Sequence, residues 1–114
     1  MPHDEVTILD LARAARLVLE FVRGLDRDAF DRDSKTQSAV LHQLLVLGEA
    51  VKRLSPDFRA AHATVPWAQI AGMRDKLIHA YDEVDIELVW RTVERDLPPL
   101  LNQLEQWLPD SPPP

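Results

Sequence analysis

Apolar residues return every three or four positions along four separate stretches of this chain, and no stretch shows the two-residue alternation of a strand. Ile8, Leu11, Ala12, Ala15, Val18, Leu19 and Val22 mark a first helix from about Asp4 to Arg23, with Gly24 placed to stop it. Val40, Leu41, Leu44, Leu47, Gly48 and Val51 mark a second, from Ser34 to Leu54. Ala39, Val46 and Ala50 give that helix a second apolar side, as expected of a central bundle member. The third should run from Pro66 to about Ala80. The fourth carries Ile86, Val89, Trp90, Val93, Leu97, Leu100, Leu101, Leu104 and Leu108. The pattern predicts an all-α fold, an antiparallel bundle of four main helices in one domain over residues 1–108.

Local signals refine the boundaries. Ser34 and Gln37 have the spacing of a capping box. The charged stretch Asp26 to Asp33 reads as a solvated loop or irregular turn. Ser55-Pro56 ends the second helix, and residues 57–65 read as a short helical turn and a connection. Asp85 is placed to cap the fourth helix, with Val84 and Val89 spaced as a hydrophobic staple. Pro98-Pro99 interrupts the fourth helix, yet the apolar phase continues past it. One bent helix, or two nearly collinear ones with Asp96 capping the second, would satisfy both facts. The tail from Pro109 to Pro114 is expected to be disordered.

The chain's 114 residues carry a net charge of −6, which argues against broad coating of nucleic acid but leaves room for a small basic site. Cysteine is absent, so thiolate chemistry and disulfides are excluded. No histidine pair has metal-ligand spacing, and no intrinsic metal is expected. The N-terminal Met-Pro-His-Asp-Glu does not read as a signal peptide, and no apolar run is long enough for a bilayer. A cytoplasmic, membrane-independent protein is the expectation.

The third helix breaks its own pattern. Trp67, Ile70, Ala71, Leu77 and Ile78 form an apolar stripe, and Arg74 and Tyr81 fall within it. A guanidinium stays charged, so its burial without a partner is costly. Arg74 must therefore pair with a carboxylate such as Glu49 or Glu94, or face a groove that receives an anion. Asp75 precedes His79 by four residues and shares its helix face, where it would orient the imidazole and favour its charged form. An unperturbed imidazole such as that of His79 titrates near neutrality, as a proton-transfer group must. His3 is expected in a frayed, solvated terminus, His42 packed or at the surface off the main stripe, His62 in the connection, and Trp67 and Trp90 in the core. On an ideal helix His79 stands about 140° around from Arg74. Either the helix loosens near His79, or the site is completed across a subunit interface.

Arg74, His79 and Tyr81 spell Arg-x-x-x-x-His-x-Tyr. This resembles the signature of HepT-like toxins of the HEPN superfamily. Leu47-Gly48-Glu49-Ala50, the run from Pro66 to Asp75, Val84-Asp85 with Val89-Trp90, and Asp96-Leu97-Pro98 resemble the same family in order and spacing, over residues 5–108. The resemblance implies a homodimeric, metal-independent endoribonuclease toxin with RNA as substrate. It implies Arg74 and His79 as catalytic residues, supported by Asp75 and by Lys76, which two facing copies would bring together. It also implies a partner nucleotidyltransferase antitoxin of the MntA type, which uses ATP to place AMP on the motif tyrosine, here Tyr81. No cofactor of its own is implied. The residues leave another class open, a non-catalytic helical subunit that docks to a nucleotidyltransferase. A third reading is a structural bundle with Arg74 in an internal ion pair.

Overall fold

The computed structural model describes residues 2–79 and 85–108, with side chains over 3–76 and 85–108. The described residues form helices α1 (Pro2–Phe21), α2 (Arg27–Asp31), α3 (Ser34–Arg53), α4 (Pro56–Ala61), α5 (Trp67–His79), α6 (Ile86–Arg91) and α7 (Leu97–Trp107), with a π-type segment at Thr92–Asp96 joining the last two. There is no strand among them. The long elements α1, α3, α5 and the run α6–α7 are the four main helices the periodicity predicts.

Helices α1 and α3 and the run α6–α7 bury their apolar stripes, while α5 buries Trp67 and half-buries Ile70 and Ala71. Ile8, Leu11, Ala15 and Val18 on α1 meet Val40, Leu44, Leu47 and Val51 on α3, and all are buried. Val89, Val93, Leu97, Leu100 and Leu104 from the last helical run close the core. Trp67 is buried as expected, and the half-buried Trp90 lies 5.2 Å from Phe30, ring centre to ring centre. Helices α1 and α3 run antiparallel, since Asp4 at the start of one meets Ser55 just beyond the end of the other. Asp4 is buried, and it accepts bonds from the Ser55 amide (2.9 Å) and hydroxyl (2.7 Å). The Ser55 hydroxyl in turn accepts from the Phe58 amide (3.1 Å), capping α4. The Ser55 amide bond first, and then its hydroxyl, hold the Asp4 carboxyl below its ordinary value.

Several local expectations need correction. The stretch from Asp26 to Asp33 is not a loop, because it contains α2. Asp26 caps that helix by accepting from the Ala29 amide (2.8 Å), and Phe30, wholly buried, anchors it against the core. The cap of α3 is Asp33, one residue before the expected Ser34. Asp33 accepts from both the amide and the hydroxyl of Thr36 (3.0 and 2.6 Å), two bonds where a serine would supply one. Gln37 does not close a capping box. Its amide donates instead to the carbonyls of Phe30 and Asp31 (2.8 and 3.0 Å), tying α2 to α3. His3 lies in the first turn of α1, and its ring donates to the Arg53 carbonyl (3.0 Å).

Asp96 caps nothing. Its backbone is helical and its side chain makes no capping bond. The chain passes through as one helical run in which the Leu97 amide reaches back five residues to the Thr92 carbonyl. A wider turn gives the proline rings room that a regular turn denies them at the i−4 carbonyl. It also serves the core. Val89, Val93 and Leu97 are spaced four apart, and in a regular helix they would drift by about 80°. The wide turn takes up part of that drift and keeps all three inside. Asp85 caps α6 as expected, accepting from the Glu87 and Leu88 amides (3.0 and 3.3 Å). The Val84 half of the expected staple, and the tail from Pro109, lie outside the described residues.

The contact that positions α5 is made at Gly48. A methyl group added there would overlap Arg74 Cβ and sit 3.1 Å from Arg74 Cγ and 3.3 Å from the Ile70 carbonyl oxygen. Two of those three atoms belong to elements that cannot retreat without moving the helix. Gly48→Ala is therefore expected to destabilise, by about 1–3 kcal/mol from overpacking, despite a helix-propensity gain of about 1 kcal/mol. Urea unfolding of the two proteins checks the sign. A second prediction concerns acid. A carboxyl held low in the folded state stabilises fully above its unfolded value, about 3.9, and loses that contribution as pH falls through the folded value. The stability gap between wild type and Asp4→Asn should be widest near neutral pH and narrow below about pH 4, as read from denaturation midpoints across pH.

Candidate functional site

Helix α5 starts where Pro66 ends the connection. The Pro66 carbonyl accepts the first helical bond, from the Ile70 amide (3.1 Å). Trp67 then locks the entry, its indole N–H donating to the His62 carbonyl (3.0 Å). One helical turn beyond Ile70, Arg74 arrives over Gly48. Its Cβ occupies the space a larger α3 residue would fill, so the side chain must leave the seam sideways toward water.

The guanidinium emerges among charges. Arg74 Nε lies 3.1 Å from Glu49 Oε2 on α3 in an ion pair, and Nη1 donates to Asp75 Oδ1 (3.1 Å). Lys52, also on α3, donates to that same Asp75 oxygen (2.8 Å). The Arg74 side chain keeps 27% of its surface exposed, against 49% for Glu49 and 48% for Asp75. The cation is thus half-buried and ordered on two sides, while part of it still faces solvent. Of the two partners the sequence allows, Glu49 is used. Glu94 is exposed and makes no ion pair with Arg74.

The Lys52 ammonium first, then the Arg74 guanidinium, hold the Asp75 carboxyl below its ordinary value. The bonds recorded for Asp75 place it with Lys52 and Arg74. Its expected partnership with His79 lies outside the described side chains, as does Tyr81 altogether. The backbone of α5 nevertheless stays helical through His79. The helix therefore does not loosen before that residue, which removes one of the two ways of reconciling Arg74 with His79.

Lys76 is not beside Arg74 within the chain. It lines a groove of about 510 Å³ between α5 and the last helical run, on a different side of α5, together with Gln69, Ile70, Met73, Arg95 and Leu100. Arg74 is not part of that groove's wall. His42 is exposed on α3. His62 is occupied by stacking, with ring centres 4.4 Å from Phe58 and 4.2 Å from Trp107. Among the described residues, no cluster of three or more metal-ligating side chains occurs, and no helix is long and apolar enough to cross a membrane. The residue that the sequence reading passed over is Lys52. Its signal was its place three residues after Glu49, on the exposed side of the helix that holds Gly48.

An all-helical bundle whose third long helix carries a seam-held Arg, with a His five residues on, defines a class that comparison with known proteins identifies. Residues 11–107 match the family model described as ribonuclease HepT-like. A protein described as probable ribonuclease HepT, from Thermococcus cleftensis, is 44% identical over 97 residues, covering 85% of this chain and 88% of the relative. A relative from Caldanaerobacter subterraneus, provisionally described as an RNase, is 38% identical over 98 residues, or 86% of this chain and 88% of its own. Another provisional RNase, from Methanocaldococcus jannaschii, is 36% identical over 112 residues, or 96% and 93% of the two chains. No solved structure gives a significant match. The chain belongs to the HepT-like ribonuclease family.

The charge network makes a checkable statement about Asp75. Its carboxyl should titrate below the ordinary value in wild type and move back upward in Lys52→Met, since the ammonium that does most to hold it low is then gone. Carbon-detected NMR titration of the Asp75 side chain reads both. An unchanged value in the variant would mean that Lys52 does not hold the carboxylate in solution.

Proposed function

We propose that this chain is a metal-independent endoribonuclease, the toxin half of a type VII-like toxin–antitoxin pair, with Arg74 and His79 as its catalytic residues. The observation that carries the reading is the placement of Arg74. A charged side chain in an apolar stripe is held at the α3–α5 seam by Glu49 and Asp75, yet 27% of it still faces solvent. Family membership supplies the second support, through relatives described as ribonucleases.

The chemistry needs little more than these groups. RNA supplies its own nucleophile, the 2′-hydroxyl, so the protein has to move protons and stabilise charge. The 2′-oxygen attacks the adjacent phosphorus as its proton passes to a base. The bond to the departing 5′-oxygen breaks as that oxygen gains a proton. His79 serves as the proton-transfer group in this scheme. Arg74 stabilises the non-bridging oxygens as negative charge builds, a task suited to a planar, permanently charged fork. Because α5 remains helical through His79, the roughly 140° between the two positions favours completion of the site by a second copy. The homodimer is part of the reading for that reason. Facing copies would also bring Lys76 from each chain into play.

Control of the activity would come from a partner nucleotidyltransferase using ATP. The Tyr81 phenolic oxygen attacks the α-phosphorus, pyrophosphate leaves, and the phenolic proton is lost. The product places an anionic phosphate and a bulky base close to His79 in sequence, repelling and obstructing RNA. A second reading has one observation in its favour. Arg74 already finds carboxylate partners within its own chain, as it would in a purely structural or docking bundle.

RNA cleavage in the presence of EDTA separates the two. Wild type should cut, while Arg74→Ala and His79→Ala should each lose about 100-fold or more in kcat, the usual scale for removing a charge stabiliser or proton-transfer group. Equal cleavage by all three proteins would sink the catalytic assignment. Tyr81→Phe should cut RNA normally but escape silencing by the antitoxin with ATP, as followed by intact-mass measurement and residual activity.

A further inference from the structure

Glu49 and Lys52 stand three residues apart on one exposed face of α3, and both reach across to α5. They form an alternating row of charges. Glu49 meets Arg74 through Nε, Arg74 meets Asp75 through Nη1, and Asp75 meets Lys52, with contacts of 3.1, 3.1 and 2.8 Å. Two cations and two carboxylates cancel. Among the described residues nothing bonds Arg74 Nη2, which carries two further N–H donors.

We infer that Glu49 and Lys52 are positioning residues for phosphate recognition, Glu49 fixing the plane of the Arg74 guanidinium and Lys52 cancelling the negative charge of Asp75. This rests on the ribonuclease reading and adds roles for two residues of another helix. Glu49 pairs with the Nε edge of the guanidinium, and Nη2, which bonds none of the described residues, is the edge we assign to a phosphoryl oxygen. That arrangement alone would leave Arg74 between two carboxylates with a net negative charge, which opposes an incoming phosphate. Lys52 removes the excess, and it does so by bonding the same Asp75 oxygen that Arg74 uses. The pair therefore settles two separate properties, orientation from Glu49 and local charge from Lys52.

Opposite charge changes give the inference a signature that packing alone lacks. Lys52→Gln leaves the row with one net negative charge, Glu49→Gln leaves it with one net positive charge, and the double variant returns it to neutral. Binding is measured by fluorescence anisotropy with a short RNA bearing 2′-O-methyl groups, which cannot be cleaved, and kcat with the unmodified RNA. Lys52→Gln should weaken binding roughly threefold and Glu49→Gln should tighten it roughly threefold, the effect of one unit charge about 6 Å from a phosphate in water-like dielectric. The double variant should bind as wild type does. Glu49→Gln should also lower kcat despite tighter binding, because a neutral amide holds Nε less firmly than a carboxylate. The binding shifts should shrink as salt is raised.

Single-variant shifts in the same direction, or a double variant that fails to return to the wild-type value, overturn the inference. So do losses of thermal stability with no opposed shifts in binding, since those are what a structural role predicts. If Arg74→Ala and His79→Ala cut as well as wild type, or wild type does not bind the RNA, the ribonuclease reading itself falls. If both lose cleavage while the α3 variants show no opposed shifts, only the roles of Glu49 and Lys52 fall.

Discussion

The close approach of α3 and α5 at Gly48 is the constraint on which the rest of the site depends. A side chain at that position would hold the helices apart, because the Ile70 carbonyl and Arg74 Cβ stand where its first carbon would go. With the seam closed, the stem of Arg74 packs against backbone and its charged end is brought to Glu49. One missing methyl group thus converts an interior position on α5 into a site that can carry a charge. Its cost is the usual helix-propensity penalty of glycine, about 1 kcal/mol, offset by burial of Leu47, Val51 and Trp67 on either side.

The helices were legible because their signal is long. Twenty residues of α1 and twenty of α3 keep one apolar phase, and propensity and pattern agree, although α1 begins and ends two residues earlier than its pattern suggests. The errors fell where one residue had to outweigh its neighbours. Asp26 to Asp33 has the charge content of a loop, yet Phe30 is wholly buried and pulls five residues into a helical turn. Asp33 took the cap from Ser34 because Thr36 offers it both an amide and a hydroxyl. Asp96 looked like a cap because prolines follow it, but a widened turn lets the helix continue and keeps Leu97 in phase with Val93. Sequence spacing counts residues per turn at a fixed value, so it cannot anticipate a turn that changes that value.

The site was legible in a different way, through conflict rather than agreement. Arg74 stood out because its charge contradicts the stripe around it, and the two carboxylates named as partners included the right one. Lys52 gave no such signal. An exposed lysine near the end of a helix is ordinary, and its importance arises only when α5 is laid across α3. Lys76 was expected to join the site only through a second copy of the chain. Within one copy, two residues along a helix turn a side chain by about 200°, and Lys76 lines a groove that Arg74 does not enter.

A net charge of −6 is an unpromising number for a protein proposed to act on RNA. Distance decides how much that number matters. At physiological salt, charges farther than about 8 Å from a phosphate are largely screened when exposed. The exposed acidic groups of α2 therefore count for less than the few groups at the α3–α5 seam. There the charges alternate, and the total of zero hides an ordered cation whose outward donors are not spent on the described residues. Such a site would take a single phosphate at a time rather than a long tract of backbone. It would gain affinity mainly from geometry, and its selectivity would have to come from the bases and from a second copy of the chain. An acidic exterior then becomes useful, since it discourages RNA from lodging anywhere except where a guanidinium is presented.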